Sequence, residues 1–88
     1  MSANLPFKPL AFRACSENGR IARHYEIEAS RDLFGGTIVE TRWGRIGQRY
    51  RECRRFFPSE EEAAEYVRTI LNRRAHAERR IGIPYRLF

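Results

Sequence analysis

"TIVETRWGRIGQRYRECRRFF", Thr37 to Phe57, contains two extended runs around a glycine pair. Thr37, Ile38, Val39 and Thr41 are β-branched, which suits a pleated strand from Thr37 to Trp43. Gly44 and Gly47 end that strand and permit a turn. Arg49 to Phe57 then alternates as a partner strand. Either Arg51, Cys53, Arg55 and Phe57 or Tyr50, Glu52, Arg54 and Phe56 face the core, and the pattern does not choose between the two sets. Pro58 stops the ladder.

Reading downstream, Ser59-Glu60-Glu61-Glu62 is a capping box. The Ser hydroxyl meets a free backbone N–H, and Glu62 reaches back toward the cap. Ala63, Tyr66, Val67, Ile70 and Leu71 recur at spacings of three and four, an apolar stripe able to cover one sheet face. Acids at the helix start and Arg73, Arg74, Arg79 and Arg80 toward its end complement the helix dipole. Gly82 and Pro84 terminate it, and Pro84 to Phe88 is a candidate edge strand.

Reading upstream, Ala22 to Ser30 alternates, with Tyr25, Ile27 and Ala29 on one face and His24, Glu26, Glu28 and Ser30 on the other. Arg31 to Gly36 is a loop closed by paired glycines. Asn18-Gly19 suits a tight hairpin turn after a first strand, Leu10 to Ser16. Before it lies a Pro-punctuated leader, Leu5 to Pro9, and residues 1–9 are set apart as poorly ordered. The expected fold class is α+β: a four- to five-stranded antiparallel sheet with one long helix packed on one face, the whole of residues 1–88 forming one domain.

Composition narrows the partners. A chain of 88 residues has room for one thin core. Its 17 basic and 11 acidic residues leave a net charge of +6, and all the basic residues but Lys8 are arginines. A guanidinium grips phosphate bidentately and stacks on rings, whereas an ammonium is a compact point charge. Nucleic acid is therefore the leading partner class. An anionic membrane is excluded as a partner: MSANLPFK carries neither a myristoylation nor a secretion signal, and no apolar run approaches a membrane span.

Trp43-Gly44-Arg45-Ile46-Gly47 follows a strand carrying His24-Tyr25-Glu26-Ile27. It precedes Phe57-Pro58-Ser59-Glu60-Glu61-Glu62-Ala63. With these flanks, residues 20–75 resemble a WGR domain. The resemblance implies a small sheet with a helix, known best as the DNA-break-sensing module of poly(ADP-ribose) polymerases and also found as a short bacterial protein. In that family the Trp packs on the sugar of a terminal nucleotide and the following Arg makes contacts beside it, roles that fall on Trp43 and Arg45 here. The chain has no room for a polymerase catalytic domain, so only the binding role carries over. The implied protein is bacterial, cytoplasmic or nucleoid-associated, and not an enzyme.

The residues point the same way without the family. A Trp beside glycines can offer a flat face to a sugar or an unstacked base, a contact worth about 1–3 kcal/mol when a base stacks. Gly44 lets a phosphate backbone approach closely. Arg42, Arg45, Arg49 and Arg51 cluster around the ring as a phosphate clamp, with Arg55 further along the strand. The helical arginines, Arg68, Arg73, Arg74, Arg79 and Arg80, either extend this surface or serve solubility and the dipole. The competing reading makes Trp43 core, since it shares a face with Val39 and Thr41. The function expected is thus a DNA-binding module for duplex ends or nicks that does not read sequence; the alternative is a module docking an acidic partner protein, because Tyr, Trp and Arg also dominate protein interfaces.

Other chemistries find little support. Gly44-Arg45-Ile46-Gly47 satisfies the GxxG loop of KH domains, but that loop joins two helices, and strands flank it here. Cys15 and Cys53 form neither a CxxC pair nor a disulfide framework, and with His24 and His76 they lack the short-spaced ligand pairs of a zinc site. They are expected as small, reduced, half-buried residues of an intracellular protein. His24 is expected on the strand surface and His76 on an exposed helical face, neither near a nucleophile. No cofactor is expected.

Overall fold

The computed structural model describes residues 7–88. The chain runs β1 (Phe7–Cys15), β2 (Ala22–Arg31), β3 (Thr37–Arg45), β4 (Arg51–Phe57), α1 (Glu60–Ala75), α2 (Glu78–Ile81) and β5 (Arg86–Leu87). The strands form one antiparallel sheet in the order β4-β3-β2-β1-β5, with α1 against β3 and β4, so the fold is α+β.

The alternation of β2 sets the core. Tyr25, Ile27 and Ala29 face the helix and meet Val39 of β3 and Ala63, Val67 and Ile70 of α1. Burying Ile27, Val39 and Val67 is worth roughly 1.5–3 kcal/mol each. Leu10, Phe12, Phe57 and Tyr66 close the margins of this layer. Ser59 caps α1, its Oγ accepting a hydrogen bond from the Glu62 amide at 3.3 Å. The helical stripe ends at His76, and a separate turn, α2, stops at Gly82, whose φ of 86° is a left-handed cap.

The register resolves the open choice on β4. Thr41 pairs with Cys53, Val39 with Arg55 and Thr37 with Phe57, so Arg51, Cys53, Arg55 and Phe57 share the helix face. Because β4 is an edge strand beside a single helix, Arg51 and Arg55 reach solvent at the margin of that face.

Several boundaries move. β1 begins at Phe7, where Phe7 pairs with Ala29 across an irregularity before Leu10, so part of the expected leader is strand. Residues 1–6 lie outside the described residues. The β1–β2 connection is a wide loop over residues 16–21 rather than a two-residue turn. Its Ser16 hydroxyl accepts from the Ile21 amide at 3.0 Å, and Gly19 adopts a φ of 73°. β3 runs on through Gly44 to Arg45, and the turn falls at Ile46 to Gln48. Trp43 is therefore inside a strand, paired with Tyr25 on one side and Arg51 on the other.

The face away from α1 is a polar layer. Arg42 donates to Glu26 Oε2 through Nε at 2.8 Å and reaches Glu28 at 3.2 Å. These bonds hold the Glu26 carboxyl below its ordinary range and the Arg42 guanidinium above its own. His24 overturns its surface placement: it is 5 % exposed. Tyr50 stacks on its ring at 4.8 Å between centroids, and Phe88 meets it edge-on at 6.3 Å. Its Nδ1 accepts from Arg13 Nε at 3.2 Å, leaving Nε2–H to face Glu26 at 3.4 Å. Strand alternation alone does not show that the β3–β4 loop and the C-terminus fold over this face.

Candidate nucleic-acid interface

The end of the helix face beyond the core is where the arginines meet. On β2 and β3 the alternation that buries Tyr25 and Trp43 places Arg23 opposite Arg45 one step further along the same face. The C-terminal turns of α1 and α2 bring Arg73, Arg74 and Arg80 across from them, and the β1–β2 loop adds Arg20. Together with Tyr25, Trp43 and Tyr85, these six arginines enclose a cleft of about 450 Å³. Among the described residues that line it there is no carboxylate, and none of the six arginines forms an ion pair.

Arg74 is the one of the six that is not exposed. Its guanidinium lies over the Tyr25 ring, Cζ at 3.7 Å from the centroid, and 5.5 Å from that of Tyr85. Its Nε is buried without a hydrogen-bond partner among the described residues. Burial lowers its pKa from the ordinary guanidinium value, the direction expected of a cation taken out of water. Burial likewise raises the Tyr25 phenol, an effect that the nearby Arg74 charge partly offsets. An incoming anion would relieve the cost of this lone charge, whereas water satisfies it only at the open side.

Trp43 is half-buried and packs on the core while lining the cleft, so the core reading and the exposed reading both hold for one side chain. Its ring centroid is 6.3 Å from that of Tyr25 at an interplanar angle of 26°. Arg45 is exposed and ties β3 to the β1–β2 loop, donating to the Gly19 carbonyl at 2.9 Å and the Arg20 carbonyl at 3.2 Å. Neither carbonyl cancels its charge. Arg80 donates to the Arg73 carbonyl at 2.7 Å and thereby fixes the helix end that forms the far wall.

The residues expected from the sequence divide. Trp43, Arg45 and Arg51 share the helix face, Arg51 directly beside Trp43 on β4. Arg49 is exposed in the loop before β4. Arg55 stands four residues beyond Arg51, about 13 Å along the strand, with its Cζ 5.1 Å from the Tyr66 ring. Arg42 points to the opposite face and is paired there with Glu26 and Glu28, so it is not beside the Trp43 ring. The space freed by Gly44 is also taken: a Cβ there would stand 3.1 Å from Tyr50 Cδ1. Gly44 thus admits Tyr50 rather than leaving an open approach.

Arg20 and Arg23 escaped the sequence reading. Arg23 was within reach of it, because it continues the Tyr25–Ile27–Ala29 alternation by one step. Arg20 had no signal, since only the loop conformation brings it in. Cys53 is half-buried and Cys15 exposed, against the half-buried expectation for both. His76 is exposed on the helix, its Nδ1 2.8 Å from the Asn72 carbonyl. Among the described residues no cluster of His, Cys, Asp or Glu could hold a metal, and no helix is long and apolar enough to cross a membrane.

A tryptophan followed by Gly and Arg on β3, backed by Tyr25 of β2 and an α1 capped at Ser59, is matched by one family model over residues 9–79. The chain belongs to the WGR domain family. WGR domains are binding modules rather than catalytic domains, and the family is often linked to nucleic-acid binding. No curated protein matches this WGR chain, and no solved structure does.

Proposed function

We propose that this WGR domain is a non-catalytic DNA-binding module that grips duplex ends or nicks without reading sequence. The observation that carries the reading is the cleft beside Trp43: six arginines, no lining carboxylate among the described residues, and in Arg74 a partly buried cation without an anion. A cluster of like charges is costly to hold together unless a polyanion enters, and phosphate oxygens suit the guanidinium fork. Trp43 and Tyr25 supply apolar ring surface at the cleft wall, which suits a sugar or a terminal base. A half-buried ring in a strand is reached more readily by the last nucleotide of a broken strand than by a continuous duplex.

In this reading Arg23, Arg45, Arg73, Arg74 and Arg80 position the backbone, with Arg20 and Arg51 at the margins. Arg42 is a structural residue of the opposite face. Contacts of this kind go to phosphate and sugar and carry no base identity.

Trp43 is the sole tryptophan of the chain, so tryptophan emission reports on this one position at the cleft wall. Titrating a short 5′-phosphorylated duplex into the protein should shift or quench that emission in a saturable way. Binding detected by another probe with Trp43 emission unchanged would put the DNA elsewhere on the surface.

A further inference from the structure

A second hollow adjoins the arginine cleft. It measures about 250 Å³ and shares Tyr25, Trp43, Arg73 and Arg74 with the first, so these four side chains line both. Its own walls differ in chemistry. Thr41, Cys53 and Ile70 form its inner part, and Tyr66 and Thr69 of α1 form its outer part. Thr41 and Ile70 are buried there, and Thr69 is exposed at the rim. One compartment is thus rich in cations, while the other is lined by rings, methyl groups and hydroxyls. Together they fall within the roughly 300–1,000 Å³ typical of small-ligand sites.

We propose that the two compartments hold one unpaired terminal nucleotide, its 5′-phosphate among the arginines and its base in the second hollow beyond Trp43. The inference rests on the DNA-end reading above and deepens it. A bare phosphate would need only the arginine cleft, and an intact terminal base pair is too broad for a hollow of 250 Å³. A base that enters must have left its partner. Unpairing costs a few kcal/mol and costs nothing where the partner base is missing. A stacking contact then repays the transfer; the Thr41 and Thr69 hydroxyls donate to the Cys53 and Glu65 carbonyls and keep lone pairs to accept from a base N–H, and the Tyr66 hydroxyl lines the same hollow. The preferred ligand is therefore an end carrying a one-nucleotide 5′ overhang.

Competition anisotropy on the intact protein tests this with three unlabelled DNAs of equal length: a duplex with a phosphorylated one-nucleotide 5′ overhang, a flush phosphorylated duplex, and a duplex sealed by hairpins at both ends. The overhang should compete about tenfold better than the flush end, and both better than the sealed duplex. A tie between overhang and flush overturns the one-nucleotide pocket while leaving end binding intact. A tie between open and sealed DNA overturns the end reading beneath it. Thr69→Phe, at an exposed helical position, fills the hollow from its rim and should erase the overhang-to-flush ratio. A folded Thr69→Phe protein that keeps the tenfold ratio also overturns the proposal.

Discussion

The Arg74 guanidinium stacks 3.7 Å above the centroid of the Tyr25 ring, and Tyr25 pairs across the sheet with Trp43. A core residue of β2, the last turns of α1 and the tryptophan of β3 thus meet at one point. Tyr25 is buried and the Arg74 Nε has no partner among the described residues, so the fold holds a cation at the mouth of its own core. Such a charge is weak evidence of a stabilising role, because its desolvation opposes the gain from the ring.

Arg74→Met should therefore separate binding from stability. Removing the guanidinium gives up a ring contact of about 0.5–2 kcal/mol and also the cost of its burial. The urea midpoint should move little, while DNA affinity falls about tenfold. A large loss of stability with little change in affinity would make Arg74 a structural residue.

Salt should weaken binding steeply. If the arginine cleft neutralises about four phosphates, log K falls with a slope near −3.6 per log unit of salt, about a hundredfold between 50 and 200 mM. Anisotropy titrations at four salt concentrations measure the slope. A flat profile contradicts the phosphate grip.

The fold was legible in the sequence to the extent that side chains alternate or recur. Tyr25, Ile27 and Ala29 on one face of β2, and Ala63, Val67 and Ile70 on α1, are periodic and buried as read. β4 could not be oriented alone, since both its faces carry arginine and phenylalanine; only its pairing with β3 decides. The candidate interface is less legible. Local spacing around Trp43 offers Arg45 and Arg51, which share its face, but also Arg42, which does not, because residues adjacent in a strand point to opposite faces. Arg73, Arg74 and Arg80 arrive from the far end of the chain, and the burial of His24 depends on Tyr50 and Phe88 folding over it. Contacts of that range leave no periodic trace.

The Glu26–Arg42 pair predicts an acid limit to stability. Hydrogen bonding from Arg42 holds the Glu26 carboxyl below the ordinary value of 4.5 in the folded state. Its contribution is then fully present above about pH 4.5 and is lost as pH falls through the lower folded value. Urea midpoints measured from pH 6 downward should decline across that window, and Glu26→Gln should flatten the decline. Parallel curves for the two proteins would assign the acid sensitivity elsewhere.

Gly44→Ala should destabilise the face opposite the helix. The new Cβ would lie 3.1 Å from Tyr50 Cδ1 and 3.4 Å from its Cα, so the ring must shift from its stack on His24. A loss of about 1–2 kcal/mol is expected by urea unfolding, the scale of overpacking a filled site. No loss would show that Tyr50 moves freely.

Trp43→Ala, checked for folding by circular dichroism, should weaken binding to open ends selectively, whereas alanine at Arg23, Arg45 or Arg73 should weaken binding to all DNA about equally. A uniform loss in Trp43→Ala would reduce the ring to a packing residue.

The most direct test of a DNA-end grip at Trp43 is anisotropy at one fixed salt, comparing a 5′-phosphorylated duplex with the same duplex sealed by hairpins at both ends. Clearly tighter binding to the open duplex is predicted. Equal binding, or none, would contradict end recognition and leave the cleft as a basic surface suited to an acidic protein partner.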